Sequence, residues 1–134
     1  MPPIHAAGWL NGEAPAENEF AGKVLVVDAW ASWCGPCRRQ APEMVLLYEK
    51  YHSQGVEFIG LSSETEESLH DMEQFLKQTG ITWKNAYGTG RTLQELGADY
   101  IPMVWVVDRQ NRIVWNQASE ISLEKGIQEA LAAK

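Results

Sequence analysis

Apolar positions along the chain fall into two periods. Val24 to Trp30 read V-L-V-V-D-A-W, a nearly continuous apolar run of strand length, as expected for a strand buried on both faces. Val56-Glu57-Phe58-Ile59-Gly60-Leu61 is a second strand candidate. Between them Met44, Leu47, Tyr48 and Tyr51 recur at helical spacing, and Gly55 sits where that helix should stop. Strand, helix and strand in this order predict a right-handed parallel βαβ unit. Ser63 followed by Glu66 reads as a capping box opening a second helix, with Leu69, Met72, Phe75 and Leu76 as its stripe and Gly80 as its stop. Trp83 to Tyr87 predicts a short strand and Arg91 to Leu96 a short helix. Met103 to Val107 and Ile113 to Trp115 flank a polar connection, Asp108 to Arg112, short enough for an antiparallel hairpin. Ser122 caps a terminal helix carrying Leu123, Ile127 and Leu131 and ending near Lys134. In the first 23 residues, the turn signal Asn11-Gly12 lies between Gly8-Trp9-Leu10 and a polar stretch, predicting a small hairpin or an extended arm. The sum is a mixed sheet between helices.

The 134 residues, 45% hydrophobic and 22% charged, predict one compact domain over 1–134, with 1–23 as its arm or hairpin. A net charge of −7 argues against a phosphate-neutralising surface, so no nucleic acid is expected. No apolar run approaches the roughly 20 residues that span a bilayer, and Met1-Pro2-Pro3-Ile4-His5 lacks the features of a signal peptide, so the sequence as given reads as soluble. Repeats, low-complexity tracts and Gly-rich phosphate loops are absent from the sequence.

The chemistry concentrates at the two cysteines, Cys34 and Cys37, which enclose Gly35 and Pro36. A bridge closing so short a loop removes little entropy from the unfolded chain, so a purely stabilising disulfide is the weaker reading. The pair follows a buried strand and opens a helix, where Pro36 suits the first turn. Unpaired N–H groups and the positive dipole end there favour a Cys34 thiolate, with a pKa expected below the free value of about 8.5. Cys37, one turn on, is placed to attack a mixed disulfide from within the same chain. A zinc half-site would need two further ligands, and His5, His52, His70 and the carboxylates show no recognised spacing. Haem attachment needs His after the second Cys, where Arg38 stands. An inert buried pair fits the Gly-Pro insert poorly. Asp28 is an acid inside the apolar run, where lost hydration should raise its pKa and make it a proton acceptor for Cys37; otherwise it ends the strand and faces water.

Trp33-Cys34-Gly35-Pro36-Cys37, preceded by Val27-Asp28-Ala29-Trp30-Ala31 and followed by Tyr100-Ile101-Pro102, resembles thioredoxin. Gly22-Lys23-Val24, Trp30-Ala31-Ser32-Trp33, Ala41-Pro42-Glu43 and Ile101-Pro102 leading to Val107-Asp108 resemble more closely the TlpA/ResA-like thiol-disulfide oxidoreductases. The resemblance implies an α/β chain with the thioredoxin fold, a central mixed β-sheet flanked by helices. It implies that Cys34 attacks, Cys37 resolves and Asp28 assists proton transfer. Pro102 would be the family's cis-proline facing the dithiol, with the Ile101 backbone pairing an extended substrate segment; the local sequence also admits an ordinary trans proline. Trp33, Gly35 and Pro36 complete the implied substrate-binding set, whereas Arg38 and Arg39 read as solvated and Pro42 as a helix bend.

The implied activity is disulfide exchange with protein substrates, in the reducing direction because the Gly35-Pro36 insert resembles that of thioredoxin, whose potential is about −270 mV. No bound cofactor and no metal are required, and electrons come from an unidentified upstream donor to what is expected to be a monomer. The alternatives are a non-enzymatic redox sensor or adaptor toggled by the same disulfide, and a metal carrier. Family likeness places the protein in the periplasm or otherwise outside the cytoplasm, with the cytoplasm as the alternative. Two departures stand out. Gln40 occupies a position where many relatives carry an acid, and Gly60 one where thioredoxin carries a lysine, which leaves Asp28 to handle the proton alone.

Overall fold

The computed structural model describes residues 1–133. Its strands are β1 (Gly8–Leu10), β2 (Val24–Ala29), β3 (Val56–Leu61), β4 (Asn85–Tyr87), β5 (Met103–Val107) and β6 (Ile113–Asn116). The helices are α1 (Gly35–Tyr51), α2 (Leu69–Thr79), α3 (Gly90–Glu95) and α4 (Leu123–Ala132). The strands form one sheet in the order β1-β4-β3-β2-β5-β6. β2, β3 and β4 run parallel, whereas β5 pairs antiparallel with β2 and β6 with β5. Among the described residues no helix is long and apolar enough to cross a membrane.

β2 is central and buried at all six positions, which is why its sequence reads as a continuous apolar run. Val24 and Val26 join a core layer with Ala41, Met44 and Leu47 of α1, Met72 and Phe75 of α2 and Ile127 of α4. Leu25, Val27 and Ala29 join the opposite layer with Leu93 of α3 and with Met1, Ile4, Trp9 and Phe20 of the N-terminal segment. Alternation along the strand puts Asp28 on the face of Val24 and Val26, the layer that also holds Cys34 and Cys37.

Several elements stand as the sequence predicts. The parallel β2-α1-β3 unit forms, Gly80 (φ 76°) caps α2 in a left-handed backbone, and Gly55 (φ 91°) does so behind a 3-10 turn over His52–Gln54 that follows the end of α1 at Tyr51. The Ser122 hydroxyl caps α4 by accepting from the Lys125 N–H at 3.1 Å. α1 runs on through Pro42.

Others differ. Of the two forms expected for the N-terminal segment, hairpin or extended arm, the arm is found, and its partner is one the sequence did not indicate: β1 pairs antiparallel with the remote β4, Gly8 opposite Tyr87. Asn11 (φ 61°) turns the chain there, and its Nδ2 donates to the carbonyls of Ile81 (2.9 Å) and Trp83 (3.2 Å). The Ser63–Glu66 capping box does not form. Ser62 N–H donates to Ala86 O (2.9 Å) and Gly88 N–H to Glu64 O (2.7 Å), so the chain stays tied to the exit of β4 through Glu64. A 3-10 turn over Glu66–Ser68 then leads into α2, with no side-chain cap at either start. β2 stops at Ala29, one residue short of the apolar run, although the Trp30 N–H still donates to Leu61 O (3.1 Å). The strand expected from Trp83 begins at Asn85, the helix expected from Arg91 begins at Gly90, and α4 is described to Ala132, Lys134 lying outside the described residues.

Gly60 pairs with Asp28 in the β2–β3 ladder. The Asn85 side-chain amide lies over it, and Trp30 Nε1 is 3.0 Å from where a Cβ would sit. Gly60→Ala should therefore cost about 1–3 kcal/mol through overpacking, read as a lower urea midpoint at unchanged slope.

Candidate active site

The chain leaves β2 and enters α1 through a tight turn in which the Cys34 N–H donates to Ala31 O at 3.1 Å. Cys34 is the N-cap of α1, with extended backbone (φ −85°, ψ 104°), and its carbonyl accepts the Arg38 N–H at 3.2 Å. Its sulfur accepts from the Cys37 N–H at 3.1 Å, so one of the orphan donors of the helix start points at Sγ. Pro36 occupies the first turn, where its missing N–H leaves no bond unmade. Cys34 and Cys37 are joined as a disulfide with Cα atoms 5.3 Å apart. Both cysteines are buried, whereas Gly35 and Pro36 between them are exposed and Trp33 beside them is 74% exposed.

Asp28 is 7% exposed and faces the layer that contains both cysteines. Burial alone pushes its carboxyl up to about 7 from the ordinary 3.8. Its cross-strand neighbour on β3 is Gly60, so the space above holds the Asn85 amide and the Trp30 indole, both uncharged, in place of a cation. Trp30 itself is core, stacked on Phe75 with centroids 4.6 Å apart.

β5 runs antiparallel to β2 with Met103 opposite Ala29, so Ile101 and Pro102 lie at the sheet end where residues 30–34 leave. The Ile101-Pro102 peptide is cis, which rules out the trans alternative. Gln117 Nε2 donates to Pro102 O at 2.6 Å, and its backbone N–H to Val104 O at 3.2 Å, holding this approach from the β6 side. The expected residues Asp28, Trp33, Cys34, Gly35, Pro36, Cys37, Ile101 and Pro102 thus gather at one end of the sheet.

Two contacts were not legible in the sequence. Glu64, just past β3, accepts from the Ser32 N–H and hydroxyl, each at 2.6 Å, and from the Ser62 hydroxyl at 3.1 Å. Only a Ser-Ser-Glu run at a strand exit signalled it, without any period. Arg38, expected to be solvated, is exposed yet engaged by α2: its guanidinium lies 4.8 Å from the Phe75 ring centroid and Nη1 donates to Gln78 Oε1 at 2.9 Å. Arg39 Nη1 is 3.3 Å from where a Cβ on Gly35 would sit, so glycine leaves room for that guanidinium beside the dithiol turn. Among the described residues no three His, Cys, Asp or Glu side chains gather as a metal site would require.

The Redoxin family model matches residues 11–131. A thiol-disulfide oxidoreductase ResA of Bacillus thuringiensis subsp. konkukian is 27% identical over 117 residues, covering 87% of this chain. The chain spans 66% of that relative's length, just under two thirds. Among solved structures, a Chlorobium tepidum protein provisionally described as a thiol:disulfide interchange protein DsbE superposes with a TM-score of 0.79 at 27% identity, covering 96% of this chain and 94% of that one. A thiol-disulfide isomerase from Corynebacterium glutamicum, at 20% identity, shares the fold with a TM-score of 0.81, covering 100% of this chain and 97% of that one. The mixed sheet flanked by helices is thus the thioredoxin fold.

A carboxyl that holds its proton more tightly folded than unfolded makes stability fall as pH rises from its ordinary pKa through its folded one. For Asp28 the penalty is absent below about 4 and complete above about 7, on the order of 4 kcal/mol. Asp28→Asn should therefore stabilise the protein progressively more from about pH 4 to about pH 8 in denaturant melts, and a gain independent of pH would contradict this.

Proposed function

The chain belongs to the Redoxin family, and from that membership we propose that it is a TlpA/ResA-like thiol-disulfide oxidoreductase that reduces disulfides in protein substrates. The observation that carries this reading is a bonded cysteine pair at a helix start, with a buried carboxyl of raised pKa on the same face of the sheet.

In the reducing direction the dithiol form reacts first. The Cys34 thiolate, favoured by the helix N-terminus, attacks one sulfur of the substrate disulfide. That bond breaks, Cys34 becomes joined to the substrate, and the departing sulfur takes a proton from water. Cys37 then gives its proton to the Asp28 carboxylate and attacks the Cys34 sulfur, displacing the second substrate thiolate, which is protonated in turn. The substrate gains two electrons and two protons, and the protein is left with the Cys34–Cys37 disulfide. An upstream dithiol donor must return two electrons for the next cycle. No step calls for a bound cofactor.

Burial of both cysteines beneath exposed Trp33, Gly35 and Pro36 supports a substrate that arrives as an extended segment. Such a segment would lie along Ile101 and Pro102 and pair its backbone with Ile101, as in strand addition. The reducing direction rests on the likeness of the Gly35-Pro36 insert to thioredoxin. A monomer acting in the periplasm or elsewhere outside the cytoplasm rests on the family resemblance.

Insulin reduction coupled to dithiothreitol tests the activity. Cys34→Ser should abolish turnover, and Cys37→Ser should accumulate the mixed disulfide. Redox-dependent partner capture without turnover would favour the sensor reading instead. Equilibration with a thiol buffer should give a potential nearer to about −270 mV than to about −120 mV, and the reverse would overturn the direction. Because Asp28 accepts a proton only when ionised, resolution of the mixed disulfide should accelerate with pH through about 7, a limb that Asp28→Asn removes.

A further inference from the structure

We propose that Glu64 is a positioning residue that fixes the turn bearing Trp33, and through it sets how well the dithiol engages a protein substrate compared with a small disulfide. This rests on the oxidoreductase reading above. The turn from Ala31 to Cys34 is closed by one backbone bond, Cys34 N–H to Ala31 O, and has Ser32 and Trp33 at its tip. Trp33 projects into solvent at 74% exposure, so its direction is set mainly by the backbone on which it stands.

The Glu64 carboxylate grips that backbone from outside the turn. One oxygen accepts the Ser32 N–H and the other the Ser32 hydroxyl, each at 2.6 Å, a two-point contact of the charge-assisted kind. Glu64 is itself held in three ways. Its N–H donates to the Ser62 hydroxyl (3.2 Å), that hydroxyl donates to Oε1 (3.1 Å), and its carbonyl accepts the Gly88 N–H (2.7 Å). Ser62 O in turn accepts from the Thr89 N–H (3.0 Å) and hydroxyl (2.8 Å). The Glu64 side chain thereby joins the exits of β2 and β3, and the backbone carbonyls of Glu64 and Ser62 join them to the exit of β4. Two residues beyond its grip stands Cys34, whose buried sulfur a bulky substrate can meet only by fitting around Trp33.

A small disulfide makes no demand on Trp33, whereas a protein segment does. The test compares second-order rate constants of the fully reduced protein with oxidised insulin and with hydroxyethyl disulfide. Glu64→Ala should lower the insulin-to-small-disulfide ratio about tenfold. Glu64→Gln keeps an acceptor for the Ser32 N–H and a polar partner for its hydroxyl, so it should recover most of the ratio. Ser32→Ala, which loses one of the two contacts, should fall between. In a Trp33→Ala background, Glu64→Ala should change the ratio no further, since the pair acts through one element. A ratio unchanged in Glu64→Ala, a Gln variant as impaired as Ala, or an undiminished effect without Trp33 would each overturn the inference. So would equal slowing of both reactions with a lowered melting temperature, because that is a general loss of structure. If the wild-type protein reduces neither substrate, the oxidoreductase reading falls and this inference with it; turnover of both with an unaltered ratio in the variants overturns the inference alone.

Discussion

β2 is hydrogen-bonded on both edges, parallel to β3 and antiparallel to β5, and covered on both faces. A residue in such a strand cannot swing out to water, because the backbone ladder fixes the register and a slip of one position would reverse every side chain. The carboxyl of Asp28 is therefore kept inside, and its hydration is replaced by apolar surroundings, an indole and an amide. Without a nearby cation the only relief is to keep the proton, which moves its titration to about 7, near the range where thiols exchange protons in water. The same ladder that makes the fold stable thus sets the acidity of a carboxyl on the sheet face that also carries both cysteines.

Gly60 shows how that environment is kept neutral. Opposite Asp28 on β3, it carries no side chain, and the vacated volume is filled from β4 by Asn85 and from the end of β2 by Trp30. Asn85 spends its amide on the Trp83 carbonyl at 2.9 Å. Two polar but uncharged groups over a buried acid leave desolvation as the dominant influence. A cation at the same place would instead pull the carboxyl down.

α1 is held at both ends, and the start of this helix carries the Cys34–Cys37 pair. At its start the turn from β2 is pinned by Glu64, and Arg38 lies across Phe75 of α2. At its end Lys50 and the Tyr51 hydroxyl both donate to Glu124 of α4 at 2.6 Å, and Gln128 donates to Tyr51 Oη at 2.9 Å. Parallel strands all leave the sheet at one end, so β2, β3 and β4 deliver their exit loops together, and antiparallel β5 brings Ile101 and Pro102 in from the opposite direction. The site is a product of topology as much as of composition.

The amino-acid sequence by itself determined the local features: the buried strand expected over Val24 to Trp30, all but its last residue, the turn glycines Gly55 and Gly80, the Ser122 cap, the hairpin of Met103 to Val107 with Ile113 to Trp115, and the dithiol at a helix start. Each depends on neighbours a few residues away, through side-chain period, backbone freedom at glycine or a single cap. Asp28 was legible because an acid in an apolar run is a conflict visible in seven letters. Tertiary structure decided what depends on distant partners. β1 became an edge strand because β4 offered it a ladder, and Ser63–Glu66 failed as a cap because the exit of β4 holds Ser62 and Glu64 first. Glu64 found Ser32, 32 residues away, only once β2 and β3 lay side by side. Hydrogen bonds of that kind leave no period in the sequence, since their geometry exists only after the strands have paired.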